Sequence, residues 1–337
     1  MCGEVCAGGE VVIMSCLWGS DACAAHVRPL LPAHVHRPIW IYNRTICTGL
    51  GDRVGAMLTV ATLAYISNVD VEMEWCGDPK RTYAHMNTFM PQWVGYNMPL
   101  QEFKKTFKIP ANIRLVDTFT NNRAPSVSYT GNELAAEETM DQVYTLASRT
   151  TRLVKPVTKE DFIRGYHVAG SQFQSQIADA VVGSSGHYVV LHMRAFDKST
   201  PNWWDWNPAS YCTHRALSMV LKHGYSVVVI SNDLQWAHKA LHPHNDTPGV
   251  TFSNSSAFQG MSLLLNSVGI IQHAPQGYSS FSNVPSMAHG IPLLSTFKGE
   301  KHRYFWYNEL GEVPPEFFHC MQRKAFMRRV DSRIGLA

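Results

Sequence analysis

Apolar and polar positions follow two rhythms along this chain. Residues 39–42 form a short β-branched and aromatic run, and a glycine-rich stretch follows at 48–55. Positions 56–65 then place apolar side chains at i, i+3 and i+4 among strong helix formers, which predicts a helix. Residues 69–75 alternate apolar and acidic side chains, the period of a half-buried strand. Strand, turn, helix and strand make one right-handed crossover unit of a parallel sheet.

The flanking regions carry less pattern. Residues 1–37 read as irregular and proline-punctuated, and 77–150 hold many aromatic and Asn side chains with only 113–116 reading as a short strand. From about 158 regularity returns. A helix is expected to close at 178–182, and 183–186 is a turn. Buried strands are predicted at 188–193, 225–230, 268–272 and 291–295, with helices at 208–223, 257–266 and 283–289. This alternation predicts a doubly wound parallel sheet. The expected fold class is α/β: two Rossmann-like domains, 1–160 and 161–310, facing across a ligand cleft. A tail, 311–337, is expected to be helical and to pack back on the first domain.

Composition narrows the function classes. Hydrophobic residues are 45% of the 337, enough to exclude overall disorder. Charged residues are only 16% and the net charge is +3, which argues against bulk nucleic-acid binding. No apolar run reaches the ~18 residues of a spanning helix, so no membrane span is expected. The apolar stretch 11–18 is short and has no basic segment before it, unlike a secretory signal. The eight cysteines include no C-x-x-C pair, so zinc is not expected and free thiols in a reducing cytoplasm are. The Golgi or ER lumen is the alternative if an upstream anchor is missing.

In parallel sheets ligands bind beyond the carboxyl ends of the strands, and four such ends carry candidate chemistry. After the first strand come Gly49 and Gly51, where a backbone can approach a ligand, with Asp52 as helix cap or general base and Arg53 beside it. After 188–193, His192, Arg194, Asp197 and Lys198 could neutralise a diphosphate. Next come Trp203, Trp204 and Trp206 around Asp205, a platform suited to stacking on sugar rings beside a carboxylate. After 225–230, Asp233 could take two N–H groups from a guanine edge, two ribose hydroxyls, or a turn. After 268–272, Ser279, Ser280, Phe281 and Ser282 lead into a helix start, a cradle for phosphate. No Asp-x-Asp pair stands at a strand end, so no metal site is expected.

In order and spacing, these residues resemble the GT-B fucosyltransferase superfamily: the α-1,6-fucosyltransferases, nodulation fucosyltransferases and protein O-fucosyltransferases. The resemblance covers about 39–75 and 186–296. It rests on Gly49-Leu50-Gly51-Asp52-Arg53, on His192-x-Arg194, on Ser231-Asn232-Asp233 and on Ser279-Ser280-Phe281-Ser282. It implies a GT-B fold and an inverting, metal-independent transfer of fucose from GDP-fucose to a glycan hydroxyl. No bound cofactor is implied beyond that substrate. Arg194 would hold the β-phosphate, His192 would support the donor pocket, and Asp233 would read guanine. Ser280 and Ser282 would bind phosphate oxygens, while Gly49 and Gly51 would line the cleft. Ala195 stands where the α-1,6 enzymes have a second Arg, which shifts phosphate neutralisation to Lys198 or Arg53. Asp205, then Asp52, are the candidate bases, and the acceptor is an oligosaccharide or glycoconjugate. UDP-xylose as donor, or a non-catalytic nucleotide- or glycan-binding protein, are the alternatives.

Overall fold

The computed structural model describes residues 39–42, 49–66, 70–75, 98–117, 159–177, 187–195, 211–274, 279–296 and 317–335. The first half contributes β1 (Ile39–Tyr42), α1 (Leu50–Ile66), β2 (Asp70–Glu74), α2 (Leu100–Thr106), β3 (Phe107–Lys108) and β4 (Ile113–Val116). β1, β2 and β4 form a parallel sheet in that order, with Ile39 opposite Asp70 and Val71 opposite Ile113. The crossover unit is therefore present. Its helix starts at Leu50 rather than at 56, so it takes in Gly51 and Gly55. Glycine opposes helix by about 1 kcal/mol per residue, and here close packing outweighs that preference.

The chain continues with α3 (Lys159–Gln172) and β5 (Gln174–Ser175), the latter paired antiparallel with β3. The expected helix end at 178–182 lies outside the described residues. Then come β6 (Tyr188–Met193), α4 (Tyr211–Lys222), β7 (Ser226–Ser231), α5 (Leu234–Ala240) and β8 (Val250–Phe252). They are followed by α6 (Ala257–Asn266), β9 (Gly269–His273), α7 (Ser280–His289), β10 (Leu293–Ser295), β11 (Phe317–His319) and α8 (Arg323–Arg333). Six strands form one parallel sheet, ordered β8-β7-β6-β9-β10-β11. Chain order reverses between β6 and β9, the doubly wound pattern.

Every residue of β6 and β9 is buried, as expected for central parallel strands. Side-chain alternation then feeds two cores. Tyr188, Val190 and Ile270 join a cluster with α6, α7 and residues of α1, β2, α2, β4 and α3. Val189, Leu191, Met193 and Ile271 join a second cluster on the opposite face with α4, α5 and α8. The first cluster holds an aromatic nest in which Phe103 stacks on Trp75 at 4.1 Å and meets Phe107, Phe173 and Phe258.

Both sheets lie in one compact unit, His36–Ala337, joined by a seam of α1, α3 and α7. Glycines make this seam possible. A Cβ on Gly51 would stand 2.3 Å from the Phe281 nitrogen, and one on Gly170 would stand 2.5 Å from the Ala288 oxygen.

Two expectations are corrected. The C-terminal tail is helical at α8, but that helix packs on the second sheet and not on the first half. Phe326, Met327 and Val330 form one stripe against Leu191, Ile271 and Leu294. The pairing of β11 with β10 just upstream holds the helix over its own sheet. The expectation of free thiols also fails at one pair: Cys212 and Cys320 form a disulfide across 108 residues, with Cα atoms 5.8 Å apart. Both cysteines sit where a helix or turn begins at the carboxyl edge of the sheet, which is what brings them together. Among the described residues no helix is long and apolar enough to cross a membrane.

Candidate functional site

The order reversal between β6 and β9 places a crevice at their carboxyl ends, where ligands of doubly wound sheets bind. Register sets which residues line it: His192 lies opposite Gln272, and Met193 opposite His273. The Arg194 amide donates to the His273 carbonyl at 2.9 Å and extends the ladder by one step. Even-numbered residues of both strands face α7, while the odd-numbered ones face α4 and α8.

On the α7 side, His192, Gln272, Ser282 and Asn283 form a buried polar network. His192 Nδ1 and Ser282 Oγ share a hydrogen bond of 3.0 Å. Gln272 Nε2 donates to Ser282 Oγ and to Asn283 Oδ1, each at 2.6 Å. Burial, then Arg194 and His273 nearby, push the His192 imidazole down to about 3. It is therefore neutral at physiological pH and serves as a hydrogen-bonding strut. The Ser282 hydroxyl, fully buried and engaged by Gln272 and His192, is turned inward.

α7 begins at Ser280, three residues ahead of the expected start at 283. Ser279 is its N-cap residue, yet its hydroxyl does not cap. Instead it accepts from Arg194 Nη1 at 3.2 Å. The amides of Ser282 and Asn283 donate to the Ser279 carbonyl. The Arg194 guanidinium therefore stands at the first turn of α7, where the helix dipole favours an anion. Phe281 also lies beside the His192 ring, at 5.4 Å between centroids.

The glycine motif meets this helix start directly. Gly51 abuts the backbone of Ser280 and Phe281, which explains the need for glycine there and joins the first and last motifs. Asp52 is the third residue of α1, so it is not the cap; it sits in the first turn, where the helix dipole favours a carboxylate. Gly49 immediately precedes the helix, and a Cβ there would meet only Asp52 Oδ2 at 3.8 Å. Arg53 is 3% exposed, with its guanidinium 5.9 Å from the Trp75 ring centroid.

Asp233 takes the turn role: its Oδ1 accepts from the Trp236 amide at 2.9 Å and caps α5. Lys198, Asp205 and the indoles of Trp203, Trp204 and Trp206 lie outside the described residues.

Sequence reasoning missed three groups. Asn232 grips the backbone after Arg194, accepting from the Ala195 N–H and donating to the Ala195 carbonyl, both at 2.8 Å. Gln272 organises the network under α7. On the other face, His273 Nδ1 meets the hydroxyls of Thr213 at 2.9 Å and Thr296 at 3.2 Å. Burial, then His214, push the His273 imidazole down to about 4. The available signal was a Gln-His pair closing an otherwise aliphatic buried strand, since buried polar side chains need partners.

No protein-family model matches the chain, and no curated protein does. Among solved structures it is similar to the fucosyltransferase NodZ from Bradyrhizobium, at 14% identity and a TM-score of 0.43, covering 74% of this chain and 93% of that one. It is similar to POFUT1 in complex with GDP, at 9% identity and a TM-score of 0.44, covering 76% and 98%. It is also similar to the E. coli heptosyltransferase WaaC with ADP, at 10% identity and a TM-score of 0.44, covering 88% and 100%.

Proposed function

We propose that the protein is an inverting glycosyltransferase that moves fucose from GDP-fucose onto a glycan hydroxyl without a metal ion. The observation that carries this reading is the pairing of Arg194 with Ser279 at the start of α7, at the order reversal of a doubly wound sheet. A guanidinium and the positive end of a helix dipole lie together there, a set suited to a diphosphate leaving group.

In the proposed reaction the acceptor oxygen attacks the anomeric carbon from the face opposite the diphosphate. The carbon–oxygen bond to phosphate breaks, and its electron pair leaves on the diphosphate. Arg194 and the α7 helix dipole stabilise that charge. The acceptor proton passes to a carboxylate, Asp205 first and Asp52 second; Asp52 directly follows Gly51, the residue that meets the start of α7. His192, Gln272 and Asn283 hold the helix start in position, and Asn232 holds the backbone that follows Arg194. For Asp233 to read guanine while capping α5, it would use its second carboxylate oxygen.

The test is binding followed by turnover. GDP should raise the melting temperature of the wild-type protein, with UDP and ADP as comparisons. Arg194→Ala should weaken GDP binding roughly 10- to 100-fold, the loss of one or two charge-assisted hydrogen bonds. Transfer from GDP-fucose should persist in EDTA. Unchanged GDP affinity in Arg194→Ala removes this residue from the site. A UDP response without a GDP response redirects the donor, and GDP binding with no turnover of any donor leaves a binding protein.

A further inference from the structure

On the face of the second sheet away from the seam, a groove of 660 Å³ lies between α4 and the start of α8. Five cationic side chains line it: Arg215, Lys222, Arg323, Lys324 and Arg328, and no Asp or Glu is among its described lining residues. Asp331 stands beside the groove without lining it, accepting from the Tyr225 hydroxyl at 2.6 Å and lying 3.8 Å from His223, a lining residue. The two large apolar side chains that stand most open on the described surface, Tyr211 at 74% and Met321 at 88%, both border this groove. The Arg215 guanidinium lies 5.2 Å from the Tyr211 ring centroid and donates to its hydroxyl at 2.9 Å. The disulfide between Cys212 and Cys320 ties the starts of the two walls together.

We infer that this groove binds an anionic polysaccharide, one bearing sulfate, phosphate or carboxylate groups along its length. Charge is the first argument: cations on both walls complement a repeated negative charge. Shape is the second. The α4 wall from Tyr211 to Lys222 is about 16 Å long at the helical rise per residue, and a groove between two walls can follow a chain but meets a flat bilayer only at its rim. The third is the exposed Tyr211 ring, held by Arg215 at one end of the groove, where a sugar ring can stack. Both walls begin at helices that follow parallel strands, so the Tyr211 end lies at the carboxyl edge that also carries Arg194. The groove is separate from the Arg194 site and does not depend on the transfer reaction proposed above.

The test uses a sulfated dextran oligosaccharide on the full chain, with unsulfated dextran as control. The sulfated form should bind, weakening as salt rises, and the unsulfated form should not. The triple variant Lys222→Glu, Lys324→Glu and Arg328→Glu should weaken that binding at least 10-fold. Tyr211→Ala should weaken it several-fold at unchanged charge. All three substituted cations are exposed, so the melting temperature and the response to GDP should be those of the wild-type protein. Equal binding by the triple variant, or no binding by the wild type, overturns the inference. So does tighter binding of a DNA oligomer or of phosphatidylserine vesicles than of sulfated dextran. Loss of the GDP response with sulfated-dextran binding retained would instead count against the transferase reading alone.

Discussion

The two faces of the second sheet are built by different rules. On the face toward the first half, helices meet backbone to backbone, and glycines remove the side chains that would separate them. On the opposite face, α4 and α8 stand off the sheet on full-sized side chains, Leu217, Val220, Phe326 and Met327 among them. Gly269 does make a close approach there, but its Cβ would meet the Val330 and Phe326 side chains and no backbone. The tight face fixes a geometry: it presses the start of α1 onto the start of α7, where the candidate site lies. The looser face leaves surface open and is held by a covalent tie.

Gly51→Val tests the tight face and should have the largest effect. Its Cβ would fall within 2.6 Å of three backbone atoms of Ser280 and Phe281. Backbone cannot rotate aside as a side chain does, so the cost should reach about 3 kcal/mol or more. Urea unfolding should show that loss, while Gly269→Ala should lose about 1 kcal/mol because Val330 can shift. Equal losses at the two sites would erase the distinction between the faces.

Removing the covalent tie should come next. Replacing both Cys212 and Cys320 by Ser should cost about 2–4 kcal/mol by freeing a long loop in the unfolded chain. The check is the melting temperature with and without reductant. A wild-type protein indifferent to reductant would mean that packing alone holds α8 on its sheet.

Much of the second half was legible because its signals are local. Strands such as 188–193 are continuous apolar runs, and the helix 257–266 has both a clean period and a capping Ser256–Gln259 pair. The motif positions Arg194 and Ser279 were legible for the same reason, since both follow such strands. What stayed hidden depends on distant partners. No local pattern says that Gly51 answers to Phe281, that Cys212 bonds Cys320 or that α8 returns to its own sheet. Gln272 and Asn232 belong to the same class: each is an ordinary polar residue until the strand register sets what stands opposite. The helices α1 and α7 both start earlier than their apolar period suggests. Their first turns are Gly- and Ser-rich for reasons of packing and of the candidate site.

Acid should strain both faces at once. The folded state holds His192 down to about 3 and His273 down to about 4 by burial. The unfolded chain takes up a proton at each near the ordinary 6.5. Stability from these two groups is complete above that value and falls as pH drops, levelling off once the folded imidazoles also titrate. Each imidazole contributes a slope of at most about 1.4 kcal/mol per pH unit. Melting curves from pH 7 to 4 should show it, and His192→Asn and His273→Asn should each remove one share. If only His273→Asn flattened the curve, the acid response would belong to the α4 face alone.

The smallest effect separates two reasons for having glycine. Gly224 ends α4 with φ at +83° and nothing within 4 Å of its missing Cβ. Space is open, so only the left-handed backbone opposes a side chain. Gly224→Ala should therefore cost about 1 kcal/mol, well below Gly51→Val, and Gly224→Asn should cost less than Ala because Asn tolerates that conformation. At Gly51 the order should disappear, since Asn and Ala both bring the Cβ that meets Phe281. Unfolding measurements on the four single variants would decide it. An Asn advantage at both sites would mean that backbone conformation, and not contact, governs the seam as well.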